Sequence, residues 1–190
     1  MLINLRSVSV LASLAALSFL SGCGGSSQPA ITLDGWEDIQ IGADASTIQH
    51  YIDENTRVYD VFGKCTNYQG LKDGPRALSV TVHNATRSIV EVEIGGVAKL
   101  NTVDGLGLRA KPAQVPYKLP LGHTVVTPES YTGNGVTRSN MGTVYLNWKS
   151  GPPSNQGYAQ ALRYEAYRES SSLRAISVGR YNAIGDRICD

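Results

Sequence analysis

The chain has no block of like charge, no apolar stretch of 20 residues, no Cys-x-x-Cys pair and no closely spaced histidines. Each absence removes a class of function. Charged residues make up 17% and the formal net charge is +1, which offers no basic patch to nucleic acid phosphates or anionic headgroups. A helix needs about 20 apolar residues to cross the hydrocarbon core, so no bilayer-spanning helix is expected. Three cysteines and three histidines, scattered over 190 residues, supply neither a redox pair nor a metal-ligand spacing. No cofactor is expected. What the chain has is 10 tyrosines among few other aromatics, with 20 glycines and 8 prolines, a turn-rich but not low-complexity composition. Its length suits one compact domain or two small halves.

The N-terminus carries an address. Residues 1–6 hold a single fixed charge, Arg6, and residues 7–20 are apolar or small. A run that short behind a basic start reads as a signal peptide over 1–22. The quartet Leu20-Ser21-Gly22-Cys23 resembles the lipobox of bacterial lipoproteins. The resemblance implies cleavage before Cys23, a diacylglyceryl group on its thiol and an amide-linked acyl chain (palmitate or similar). Two or more chains anchor stably, at about 0.8 kcal/mol per buried methylene. Gly24 follows where an Asp would suggest inner-membrane retention, which favours the outer membrane, facing the periplasm. Residues 23–30 then form a lipidated, flexible tether.

With Cys23 assigned to lipid, Cys65 and Cys189 remain. An even number in an oxidising compartment is read most economically as a disulfide. It would close a loop of 124 residues (189 − 65). Chain entropy values such a loop at about 4–5 kcal/mol.

From residue 31 to 190 the expectation is a single α+β domain, short helical segments on one face of an antiparallel sheet. Asp44 or Ser46 caps a short helix expected to run to about Asn55. A Cys- and Gly-rich turn region follows. Leu78, Val80 and Val82 then alternate with Ser79, Thr81 and His83. Val90, Val92 and Ile94 alternate with Ile89, Glu91 and Glu93, and a short polar loop joins the two runs into a hairpin. The texture restarts at an offset of 67, laying Ile39 on Leu106, Ile41 on Leu108 and Ile48 on Val115. Two tandem helix-plus-strands units, 31–100 and 101–190, are the resulting expectation. Pro112, Pro116 and Pro120 limit the second helix to a turn or so. Three alternating runs close the chain, with Val144, Leu146 and Trp148, then Leu162, Tyr164 and Ala166, then Ile176 and Val178 on the apolar side.

The order of leader, Ile39-Gln40-Ile41-Gly42, short helix, Cys65, hairpin, Thr102 to Leu108, and strands ending in Gly185 and Cys189 resembles small bacterial periplasmic proteins. Their architecture is similar to the tandem repeats of the beta-lactamase inhibitor proteins and to the small outer-membrane-assembly lipoproteins. The resemblance implies a short helical pair on one sheet face and a binding surface with no shared catalytic set. The sequence departs from the pattern at Arg109, where a glycine would follow Leu108.

No reaction centre is recognised. His50, His83 and His123 stand alone, Ser130 lacks the glycine-flanked elbow that aims a nucleophile, and Gly105-Leu106-Gly107 lacks a phosphate-binding pattern. Asn84-Ala85-Thr86 is a glycosylation sequon best read as a turn. Glu91 and Glu93 share a strand face, a spacing that suits acid–base chemistry but more often marks a wetted sheet surface. The face opposite the apolar stripes would carry Ser79, Thr81, Glu91, Glu93, Tyr145, Asn147, Lys149, Arg163, Glu165 and Tyr167. Tyr and Arg are favoured interface anchors, which makes Tyr145, Arg163 and Tyr167 the candidate partner contacts. The leading expectation is a non-enzymatic, lipid-anchored envelope module binding a protein, as inhibitor, immunity protein or assembly accessory. An envelope hydrolase using Glu91, Glu93 and His83 on glycan or peptide is the first alternative. A small-molecule or lipid carrier is the second.

Overall fold

A computed structural model describes residues 29–75, 77–96, 99–120, 122–126, 130–133, 136–139, 142–154, 157–167 and 170–190. Cys23 and the leader lie outside them. The elements run β1 (Gly35–Trp36), β2 (Ile39–Gln40), a 3₁₀ helix (Ala45–Tyr51), β3 (Arg57–Val61), β4 (Cys65–Gln69), β5 (Leu78–His83) and β6 (Ser88–Gly95). A 3₁₀ turn (Pro112–Gln114) leads into α1 (Val115–Lys118), followed by β7 (Thr124–Val126), β8 (Ser130–Gly133) and β9 (Val136–Ser139). Three longer strands close the chain, β10 (Gly142–Trp148), β11 (Ala159–Tyr167) and β12 (Ala175–Tyr181).

Eight of these strands form one sheet in the order β3-β4-β5-β6-β12-β11-β10-β7. Every pairing in it is antiparallel. The molecule is therefore dominated by sheet, with short helical pieces. β6 and β12 meet at the centre of the sheet, and β3 and β7 form its edges. The 67-residue offset joins the two helical stretches end for end, 45 to 112 and 51 to 118. Ile48 and Val115, which it superposes, are both fully buried.

The first helix is shorter and tighter than its sequence suggests. Asp44 caps it, its carboxylate accepting the Ser46 N–H at 2.8 Å. Ala45 and Ile48, three apart, are its buried residues, the spacing that a 3₁₀ turn eclipses. It stops at Tyr51 because Asp53 takes over the backbone: its carboxylate accepts the Asn55 N–H at 2.8 Å and starts a turn. The prolines confine the second stretch to one turn of each kind, as their ring geometry requires.

The larger core lies on one sheet face, beneath the chain before β3 and the chain between β6 and β7. Trp36, Ile39 and Ile48 from the first segment and Leu106, Leu108 and Val115 from the second pack on Val80, Val92, Leu162, Tyr164, Ile176 and Val178. Three expectations need correction. The Cys- and Gly-rich stretch after the helix contains β3 and β4, a hairpin extending the sheet. A register shift between Thr81 and Val82 turns Ile89 into the larger core and leaves Val90 beside the disulfide. In β10 the faces are the reverse of those expected. Tyr145 stands opposite Tyr164 and Asn147 opposite Leu162, on the larger-core side. Val144, Leu146 and Trp148 form a second cluster on the other face with Ala161 and Tyr181. Both faces of β10 are covered, so alternation alone does not identify the inner one.

Candidate functional site

The second sheet face is not simply open. Cys65 and Cys189 are bonded, with Cα atoms 5.8 Å apart, and this bond holds residues 182–190 across that face as a strap. Gly185 (φ +87°) lies where a Cβ would meet Val144 Cγ1 at 3.4 Å and Leu146 Cδ1 at 3.6 Å. Lys64 Nζ donates to the Asp190 carbonyl at 2.5 Å, adding a polar tie beside the disulfide.

Between strap and sheet runs a belt of charge. Arg187 Nε donates to Glu91 Oε1 at 2.8 Å, and its Nη2 donates to Glu93 Oε2 at 2.5 Å. The Tyr181 hydroxyl donates to the same Glu91 oxygen at 2.9 Å and shares a 2.7 Å bond with Ser177. Farther along, Arg163 and Arg174 donate to the two oxygens of Glu165 at 2.7 and 3.0 Å. The Arg163 guanidinium sits 5.9 Å from the Tyr181 ring centre, and that of Arg174 sits 4.7 Å from the Tyr167 ring. Arg163 Nε is buried without a hydrogen-bonding partner.

Environment separates these carboxyls. Burial raises the Glu93 carboxyl, and the neighbouring Glu91 charge adds to that, against the opposing pull of Arg187. Burial pushes Glu165 the same way, but Arg163, Arg174 and Arg187 outweigh it and hold the group below its ordinary value. Burial and the charge of Glu91 raise the Tyr181 phenol far above the ordinary tyrosine range. The charge of Glu91, reinforced by Glu93, holds Arg187 as a cation.

The three candidate contacts are therefore not one patch. Arg163 and Tyr167 share the belt face, Arg163 inside the ion-pair network and Tyr167 at its rim with 41% exposure. Tyr145 is 8% exposed and turned to the larger core, with its phenol raised by burial. Sequence reading missed Arg174, Tyr181 and Arg187. Of these, Arg187 carried a usable signal, because it stands two residues from a cysteine expected to bond Cys65. Glu91 and Glu93 do lie side by side, tied by Arg187, whereas His83 Nδ1 faces Thr86 Oγ1 at 3.2 Å. His123 Nδ1 lies 3.2 Å from the Pro120 carbonyl. His50 Nε2 is 3.6 Å from Asp38, whose other oxygen accepts the Tyr51 hydroxyl at 2.5 Å and raises that phenol to about 12. Ser130 lies in β8 opposite Ser139. The sequon amide is used internally: Asn84 accepts from Thr66 at 2.8 Å and donates to the Gly63 carbonyl at 3.3 Å.

Among the described residues, no group of three or more His, Cys, Asp or Glu is placed to hold a metal, and no helix is long and apolar enough to cross a membrane. Exposed apolar side chains gather instead on β3 and its turn, where Val58 is 57%, Tyr59 44% and Phe62 74% exposed. Comparison with protein-family models, with curated proteins and with solved structures finds no match.

Proposed function

We propose that this protein is a lipid-anchored binding module of the bacterial cell envelope. It docks a protein partner, as inhibitor, immunity protein or assembly accessory, and is not an enzyme. Cysteine pairing carries the reading. Cys65 and Cys189 are bonded to each other, which fits an oxidising compartment and leaves Cys23 as the odd thiol in a lipobox-like quartet. The self-paired belt supports the non-enzymatic part: every carboxylate in it is engaged by an arginine. The same reading takes 31–100 and 101–190 as tandem units of an architecture like that of the beta-lactamase inhibitor proteins, and places the domain on the periplasmic side of the outer membrane.

Intact-mass measurement on the protein expressed with its leader in a bacterial host tests the anchor. The expected species begins at Cys23 and carries acyl mass, and Cys23→Ala abolishes labelling by a palmitate analogue. An uncleaved leader, or a processed chain without acyl mass, refutes it.

A further inference from the structure

The exposed edge of the sheet at β3 combines three observations. Its inner side pairs with β4 in unbroken register from Arg57↔Gln69 to Val61↔Cys65, and its outer side pairs with no strand among the described residues. Sheet edges are ordinarily blunted by short length, proline, charged side chains (lysine above all) or a bulge. The opposite edge, β7, is three residues long, whereas β3 has five with no proline, no lysine and no bulge, and its two edge charges, Arg57 and Asp60, are of opposite sign. The hairpin tip adds an aromatic held at a conformational cost. Phe62 has φ +51° and Gly63 φ +70°, and the Lys64 N–H closes the turn on the Val61 carbonyl at 3.1 Å. Such a turn favours Asn-Gly, and a Phe with φ > 0 is strained. At 74% exposure its ring gains little burial in return. Strain that the core does not reward is a pointer to function.

We infer that β3 and Phe62 form a docking edge that receives an extended segment of a partner protein as an added antiparallel strand. The inference rests on the binding-module reading and names its surface. Backbone pairing supplies the attraction and side chains the selectivity. Arg57 and Asp60 are three apart and so lie on opposite faces of the strand; one Asp60 oxygen accepts the Gly63 N–H of the turn at 2.9 Å, and the other faces the partner. An antiparallel partner meets both by presenting a basic residue first, two apolar residues, then an acidic one. A second copy of β3 does not. Two copies paired about a two-fold axis keep their faces, so only positions of equal parity meet, and Arg57 never opposes Asp60. Charge complementarity therefore selects a foreign strand. Phe62 takes an apolar residue ahead of the basic one.

The test uses the full mature chain in detergent micelles and a fluorescein-labelled probe, Leu-Thr-Lys-Val-Val-Glu-Thr. A second probe has Lys and Glu exchanged, and a third has alternate backbone amides methylated. The first probe should bind about fivefold more tightly than the exchanged one, two exposed cross-strand charge pairs being at stake. It should slow hydrogen exchange at residues 57–61. Arg57→Glu should lose that preference, and a probe with Lys in place of Glu should restore tight binding to the variant. Phe62→Asn should weaken binding severalfold while raising the melting temperature by about 2–4 °C, since it installs the favoured turn residue. Equal binding of the exchanged or methylated probe, unchanged exchange over 57–61, or self-association that Arg57→Glu abolishes would overturn the docking edge. Probe binding by a protein without acyl mass would defeat the lipid-anchor reading alone. Acylated protein that ignores every probe would defeat the docking edge alone.

Discussion

Glu165 and Glu93 are two carboxylates of one belt with opposite demands. Glu165 accepts from two arginines, and Arg163 is only 11% exposed, so removing the carboxylate strands a nearly buried cation. Glu165→Gln should cost about 3 kcal/mol at pH 7, the range seen when one partner of a buried pair is deleted. Glu93→Gln should cost much less, since Arg187 keeps Glu91 and the neutral form suits the buried position. The signs with pH differ. The folded-state value of Glu165 lies below the ordinary 4.5, so its stabilisation is complete above 4.5 and is lost as pH falls through the folded value. The folded-state value of Glu93 lies above 4.5, so its ionisation weakens the fold as pH rises past 4.5. Urea titrations from pH 3 to 7 should show the gap between the two variants closing on the acid side. A gap independent of pH would mean that the pairs do not govern acid stability.

Elements that bury one face and wet the other were legible as alternation. The β5–β6 hairpin is the clear case: Leu78, Val80 and Val82 point into the core and a polar loop turns the chain. Alternation failed where that asymmetry is absent. Arg57 to Asp60 are exposed on both faces of β3, and β10 is covered on both, so neither carries a one-sided stripe. The bulge at Val90, opposite the step from Thr81 to Val82, was illegible for another reason, since one extra residue shifts the facing without changing composition. Gly179 shows what such close fitting requires. It lies in the middle of β12, where a Cβ would stand 2.8 Å from the Val90 carbonyl and 3.0 Å from the Tyr181 hydroxyl. Gly179→Ala should therefore push Tyr181 off Glu91 and cost about 1–3 kcal/mol by overpacking. Loss of the near-ultraviolet tyrosine signature before the far-ultraviolet strand signal would follow. A neutral variant would show that the bulge yields freely.

At the scale of the molecule, the disulfide joins residue 65 of the fourth strand to the penultimate residue, closing a separation of 124. This pairing was legible because only Cys65 and Cys189 remain once Cys23 is set aside in its lipobox-like quartet. The belt was not, because partners such as Glu91 and Arg187 lie 96 residues apart and meet only once the strap is laid down. The bond and the ion pairs thus fasten one strap by two means, covalent and electrostatic. Cys65→Ser with Cys189→Ser should cost about 2–5 kcal/mol, since the unfolded chain regains its loop freedom. Arg187→Met alone should cost about 3–5 kcal/mol, since it leaves the nearly buried Glu91 beneath the strap without its guanidinium partner. The triple variant separates a shared role from two independent ones. With the bond intact, losing Arg187 leaves the strap in place over unpaired carboxylates. With the bond absent, the strap peels away and water reaches them, so the second loss costs less. A double-mutant cycle should therefore return a coupling of about 0.5–3 kcal/mol, with the triple variant less destabilised than the sum. Additive losses would mean that Arg187 holds Glu91 and Glu93 without help from the disulfide, and that residues 182–190 stay seated through their packing on Val144 and Leu146.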